Sequence, residues 1–155
     1  MITVKQYVSP EGTSPFGEWL DGLDDPAAAR VLAGLQTTKV NHAMPLTKDF
    51  KETVRARVIK SAGFRKAVLQ EAVDGLLAGD LDTGKALLRD YVNGTMGFER
   101  LGELTQIPVK SLMRMLGPKG NPQAKNLFDV IAHLQRAEGV RFEVSLKSRA
   151  RVRAA

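Results

Sequence analysis

Cysteine is absent from the 155 residues, which excludes a disulfide framework, a thiol nucleophile and a thiolate metal site. Histidine occurs only at His42 and His133, and neither belongs to an HxxE or HxxxH pair, so no metal is expected. Aromatic residues make up 6% of the chain, with Trp19 the only tryptophan. No apolar run approaches the ~20 residues of a membrane helix, and the opening MITVKQYVSPEG has no apolar signal region. These absences predict a cytoplasmic protein without a membrane partner. LLAGDLDTGK lacks the GxxxxGK[ST] spacing that cradles nucleotide phosphates, and Ser14, Ser61 and Ser111 have no base arranged around them. Neither a cofactor nor an enzyme activity is expected.

What is present is an ordinary globular composition, 43% hydrophobic and 26% charged, of a length suited to about one ordinary domain. The net charge of +6 is unevenly placed. Residues 1–43 carry three basic against five acidic side chains, while residues 44–155 carry twenty against twelve. A basic segment joined to a mildly acidic one suggests two origins, with the basic part suited to a polyanion.

The acidic segment reads as β–α–α over residues 1–36. ITVKQYV is β-branched and aromatic, SPEGTSP is a turn cluster, FGEWLDGL a short helical turn, and Pro26 opens the Ala/Leu-rich helix PAAARVLAGL. A fragment this small cannot bury a core alone and must dock on something. QTTKVNHAMP follows as a polar linker over 37–45, with Met44 resembling the former start of a separate chain. The basic segment, 46–146, reads as mostly helical. Asp49 and Glu52 suit a capping box for a helix to about Ile59, with Phe50 and Val54 on one face. A second helix over Phe64–Ala78 spaces Leu69, Val73, Leu76 and Leu77, and Gly79 stops it. Asp82 or Thr83 caps a third, with Leu87, Leu88, Tyr91 and Val92 on a stripe. Asn121–Pro122 starts the last helix, whose stripe is Ala124, Leu127, Phe128, Ile131 and Leu134, ended by Gly139. VRFEVSL alternates, Val140, Phe142, Val144 and Leu146 against Arg141, Glu143 and Ser145, as a strand does. That strand is expected to pair with Ile2–Val8, or with its counterpart in a second copy. The tail 147–155 carries Lys147, Arg149, Arg151 and Arg153, either as a solvated arm or as a grip on phosphate or on an acidic protein surface.

The most informative stretch is GFERLGELTQIPVKSLMRMLG, read as two short helices and a tight turn. Gly102, Ile107, Leu112 and Met115 have the small–x4–apolar–x4–apolar–x2–apolar spacing of a helix-turn-helix, whose helices share one narrow seam. With those residues inward, Val109, Lys110, Met113 and Arg114 are expected to face outward near the start of the second helix. Arg114 suits the two guanine acceptors of the major groove, Lys110 guanine or phosphate, Ser111 either, and Val109 a thymine methyl. Lys119 in the GPKGNP loop and Lys125 beyond it suit phosphate. Gln106 stands where the turn often has glycine, and Pro108 occupies the cap position of the second helix.

From about Pro45 to Val144 the chain resembles HigA-type antitoxins, helix-turn-helix repressors of bacterial toxin–antitoxin modules. The resemblance runs through DFKETVRARV, FRKAVLQEAVDGLLAGDL, TGKALLRDYVN, GFERLGELTQIPVKSLMRML, GPKGNPQAKNLFDVIAHLQ and EGVRFEV, with GPKGNPQAKNLF its most specific piece. The first thirty-five residues resemble the opening of a HigB/RelE-type toxin, chiefly in SPEGTSPFGEWLDGL. The resemblance implies sequence-specific binding of operator DNA, dimerisation on a palindrome and neutralisation of a cognate toxin. It implies no ribonuclease, since the later toxin strands that carry such a site have no counterpart after Leu35. The expected fold class is therefore mainly α: a repressor-like helical domain with an N-terminal β–α–α stub and a C-terminal strand. The expected function is an autoregulating, dimeric antitoxin-type repressor. The alternative is a protein-interaction module, binding a toxin or a second copy, whose DNA binding is weak or lost.

Overall fold

The computed structural model describes residues 15–37 and 48–145, and the regular structure among them is helical throughout. The expected strand over Ile2–Val8, most of the linker and the basic arm lie outside the described residues. Among the described residues, no helix is long and apolar enough to cross a membrane.

Helix α1 (Pro15–Asp21) leads through a short turn into α2 (Asp25–Thr37). Asp24 starts α2 by accepting the Ala27 N–H at 2.7 Å, so the helix begins one residue ahead of Pro26. Ala28, Ala29 and Leu32 on its inner face are buried where α2 packs against α4 (Ala62–Leu77) and α5 (Leu81–Gly94). For residues 15–37 the expectation of docking on the rest of the chain is met, and their buried apolar residues join one continuous core.

A polar knot ties the entry segment down. Arg57 of α3 (Lys48–Lys60) is 8% exposed and donates to Leu20 O, and at 2.6 Å to Leu23 O, where α1 runs into α2. It pairs with Asp25 at 3.3 Å and lies 4.9 Å from the centre of the Phe64 ring. Asp25 accepts from Ser61 Oγ at 3.1 Å, and Ser61 Oγ accepts the Phe64 N–H at 3.0 Å, capping α4. A buried guanidinium is tolerable only with its donors used in this way.

Helix α4 packs against both α2 and α5, which selects Phe64, Val68, Leu69 and Ala72 as its buried residues. Leu77, expected on the stripe, is exposed instead, and Val73 and Leu76 are half-buried. Asp80, ahead of the expected Asp82 or Thr83, caps α5 by accepting the Thr83 N–H at 3.2 Å. The stripe Leu87, Leu88, Tyr91 and Val92 is buried as expected. The chain then runs through α6 (Gly97–Thr105), α7 (Val109–Met115) and α8 (Ala124–Glu138).

Helix α8 buries Leu127, Val130, Ile131 and Leu134, but Phe128, placed on its stripe by spacing alone, is 64% exposed. Its last turn is fastened by Glu138, which accepts from Tyr91 Oη at 2.8 Å and from Arg65 Nε at 2.7 Å. Burial, then the hydrogen bond to Glu138 and its charge, push the Tyr91 phenol well above its ordinary range, against a smaller opposing pull from Arg65. Residues 140–145 form no strand. They fold back on the core, with Val140 and Phe142 half-buried and the Phe142 N–H bonded to Gln135 Oε1 at 2.7 Å. The alternation is real for two residues. It reflects packing on α8's end rather than a ladder, since no strand among the described residues is there to pair with it.

Candidate nucleic-acid interface

Gln106, with φ 57° in the left-handed region, ends α6 and turns the chain. Such a backbone is uncommon outside glycine, and here the side chain compensates by donating from Nε2 to Glu103 O at 2.6 Å. Pro108, at φ −54° and ψ 137°, then starts α7. Its carbonyl accepts the Ser111 and Leu112 N–H groups at 2.8 and 3.0 Å. Proline fits there because its missing N–H would have had no helical partner.

The two helices meet at Gly102. A Cβ there would stand 3.1 Å from Ile107 O and 3.2 Å from Val109 Cγ2, tighter than ordinary contact. Leu112 is wholly buried and Met115 nearly so, and Ile107 packs partly against the core. The four seam residues therefore face inward as their spacing predicts. At ~1.5–3 kcal/mol for each large apolar side chain, this burial holds α7 against the body of the protein.

The expected outward set needs one correction. Lys110, Met113 and Arg114 are exposed, and Ser111 is half-buried. Val109, however, turns towards α6 and packs half-buried against Gly102. Having no side chain, Gly102 leaves a hollow that the first residue after Pro108 fills, so Val109 belongs to the seam rather than to an outer face.

Arg114, Ser111 and Lys119 line a groove of about 490 Å³ together with Gln106, Asn121, Gln123 and Asn126. Lys110, Met113 and Lys125 do not line it, and all three are exposed. From Leu104 to Phe128 the sequence contains Lys110, Arg114, Lys119 and Lys125 and no acidic residue. The first turns of α7 and α8 are likewise free of acids. The groove thus combines a bidentate donor, an ammonium, a hydroxyl and several amides, with positive charge and no opposing carboxylate. Such a set can bond base edges and phosphate oxygens at once.

Sequence reasoning missed the amides and one lysine. The sequence marks Asn121–Pro122 only as a helix start, though Asn–Pro–Gln followed by Asn126 places three amides within six residues. Lys85 was overlooked because it lies far away in sequence, but its signal was legible: it occupies the stripe of Leu88 and Val92, where an apolar residue is expected. Comparison of the chain with family models, with curated proteins and with solved structures returns no match.

Proposed function

We propose that this protein is a sequence-specific DNA-binding repressor of the antitoxin type, with α6, the Gln106–Pro108 turn and α7 as its helix-turn-helix. In this reading α7 is the recognition helix, and a homodimer places two copies one DNA turn apart (~34 Å) to occlude a promoter. Arg114 reads guanine, with Met113 beside it and Ser111 bonding either base or phosphate. Lys110, Lys119 and Lys125 neutralise phosphates and supply most of the affinity. The same chain neutralises a RelE/HigB-like toxin and regulates its own operon. The observation that carries the DNA reading is the acid-free groove beside a tightly seated helix pair, with Arg114, Ser111 and Lys119 on its walls.

The test is fluorescence anisotropy with a duplex from the region upstream of the coding sequence and a scrambled duplex of equal length. The upstream duplex is expected to bind at least ~10³-fold tighter, with both affinities falling steeply between about 50 and 200 mM salt. Equal affinities refute a sequence-specific repressor.

The second reading, a protein-interaction module, draws on the other side of the turn. There a hollow of about 580 Å³ is lined by Glu99 and Glu103 with Gly102, Gln106 and Val109. Those carboxylates repel phosphate and would suit a basic protein surface. Salt-sensitive binding without sequence preference, together with capture of a RelE/HigB-like toxin, would favour that module.

A further inference from the structure

Lys85 lies inside the protein, 4% exposed, one turn before Leu88 on the buried face of α5. An ammonium in such a place is costly unless it is hydrogen-bonded and paired. Its Nζ donates to Gly120 O at 2.7 Å and pairs with Asp82 Oδ1 at 3.2 Å. Asp82 is 63% exposed and keeps much of its hydration. Gly120 belongs to the loop between α7 and α8, so the lysine spans from the core to the rear of that loop.

The loop follows α7 closely. The Gly117 N–H bonds to Arg114 O at 3.1 Å and the Gly120 N–H to Gly117 O at 2.9 Å. At Gly120 the backbone passes so near the carbonyls of Arg114 and Met115 that any Cβ would collide with them. Lys119 and Asn121, on either side of Gly120, both line the groove that Arg114 enters. Lys85 is not part of that lining. It grips the one carbonyl between two groove residues from the core side, through a charge-assisted bond of the stronger kind.

We propose that Lys85 is a positioning residue for the groove: its bond to Gly120 O sets where the Asn121 amide stands relative to Arg114, and so governs discrimination between DNA sequences. The inference rests on the DNA-binding reading. Contacts to base edges depend on donor placement, whereas a lysine near a phosphate tolerates displacement. Releasing the loop therefore weakens sequence choice more than it weakens binding as such.

Lys85→Met tests this. Methionine keeps the unbranched stem and removes the donor, and the partner left behind, Asp82, is 63% exposed and stays hydrated rather than becoming a buried unpaired charge. Two readouts are taken, amide hydrogen exchange over residues 117–123 without DNA and the ratio of affinities for upstream and scrambled duplexes. In K85M the loop is expected to exchange on the order of tenfold faster while the helices exchange unchanged. The affinity ratio is expected to fall on the order of tenfold, with the scrambled duplex bound nearly as before and partial recovery in Lys85→Arg. Unchanged loop exchange, or an unchanged ratio in a protein whose wild type discriminates, overturns the role of Lys85 alone. A wild type that does not discriminate overturns the DNA reading and this role with it. If K85M loses its cooperative thermal transition, Lys85→Gln repeats the comparison. Loss in both variants would show that the lysine holds the fold rather than the loop.

Discussion

Two identical substitutions, Gly34→Ala and Gly102→Ala, should have different consequences, and the difference measures how tightly α6 and α7 are seated. Both glycines lie in helices, where alanine is favoured by up to ~1 kcal/mol. A Cβ on Gly34 meets nothing within 4 Å, so Gly34→Ala should realise most of that gain. A Cβ on Gly102 meets Ile107 O at 3.1 Å and Val109 Cγ2 at 3.2 Å. The carbonyl belongs to the turn and yields only if the turn moves, so overpacking of ~1–3 kcal/mol applies. The expected outcome is a gain of about 0.5–1 kcal/mol for Gly34→Ala and a loss of about 0–2 kcal/mol for Gly102→Ala. Urea denaturation resolves the gap, and in thermal scans each kcal/mol should appear as roughly 2–4 °C for a chain of this size. Gly102→Leu extends the series, since its larger side chain must splay the seam, and it should be the least stable of the three. If Gly102→Ala stabilises as much as Gly34→Ala, or Gly102→Leu matches the wild type, the helices are not in close approach and the proposed motif loses its geometric basis.

Arg114→Ala should cost ~1–3 kcal/mol on the upstream duplex and much less on scrambled DNA, and equal losses would reassign Arg114 to the phosphate backbone. Tyr91→Phe removes a donor from Glu138 and should cost ~1.5–3 kcal/mol by urea denaturation. Because the folded Tyr91 phenol titrates above its unfolded value of ~10, its contribution is present below that pH and is lost as pH rises through the folded value. A Tyr91→Phe stability deficit that did not shrink at alkaline pH would contradict this assignment. Glu71 is held above the usual carboxylate range, first by burial and then by Asp74, against a smaller opposing pull from Arg30. Its contribution to stability is therefore present below the unfolded value of ~4.3 and lost as pH rises through the folded one. Glu71→Gln should accordingly raise the melting temperature relative to wild type at neutral pH and lose that advantage near about pH 4, whereas a constant offset would refute it.

Most helices were legible because their signals are local. The stripe Leu87, Leu88, Tyr91 and Val92 marks α5 and Gly139 ends α8, while the capping Asp24, Ser61 and Asp80 stand two or three residues ahead of the starts read at Pro26, at Phe64 and at Asp82 or Thr83. The seam of Gly102, Ile107, Leu112 and Met115 was legible too, since two short helices joined by a three-residue turn offer few ways to meet. The groove was half legible. Arg114 and Lys119 stand on short segments whose exposure follows from the seam, but that Asn121, Gln123 and Asn126 share their groove depends on how the α7–α8 loop folds back.

By itself, the amino-acid order determined a mainly helical chain, the placement of its helices, the basic character of residues 104–128 and the glycine that lets α6 and α7 touch. Those properties arise from capping, periodicity and composition, which act over a few residues. Tertiary structure decided that Val109 fills the hollow beside Gly102 and that Phe128 is left in solvent. It also turned Val140 and Phe142 against the core in place of a strand and brought Lys85 to Gly120. Each of these depends on which neighbour occupies the adjoining space. An apolar side chain is buried only where another element covers it, and a charge is buried only where a distant partner takes up its hydrogen bonds.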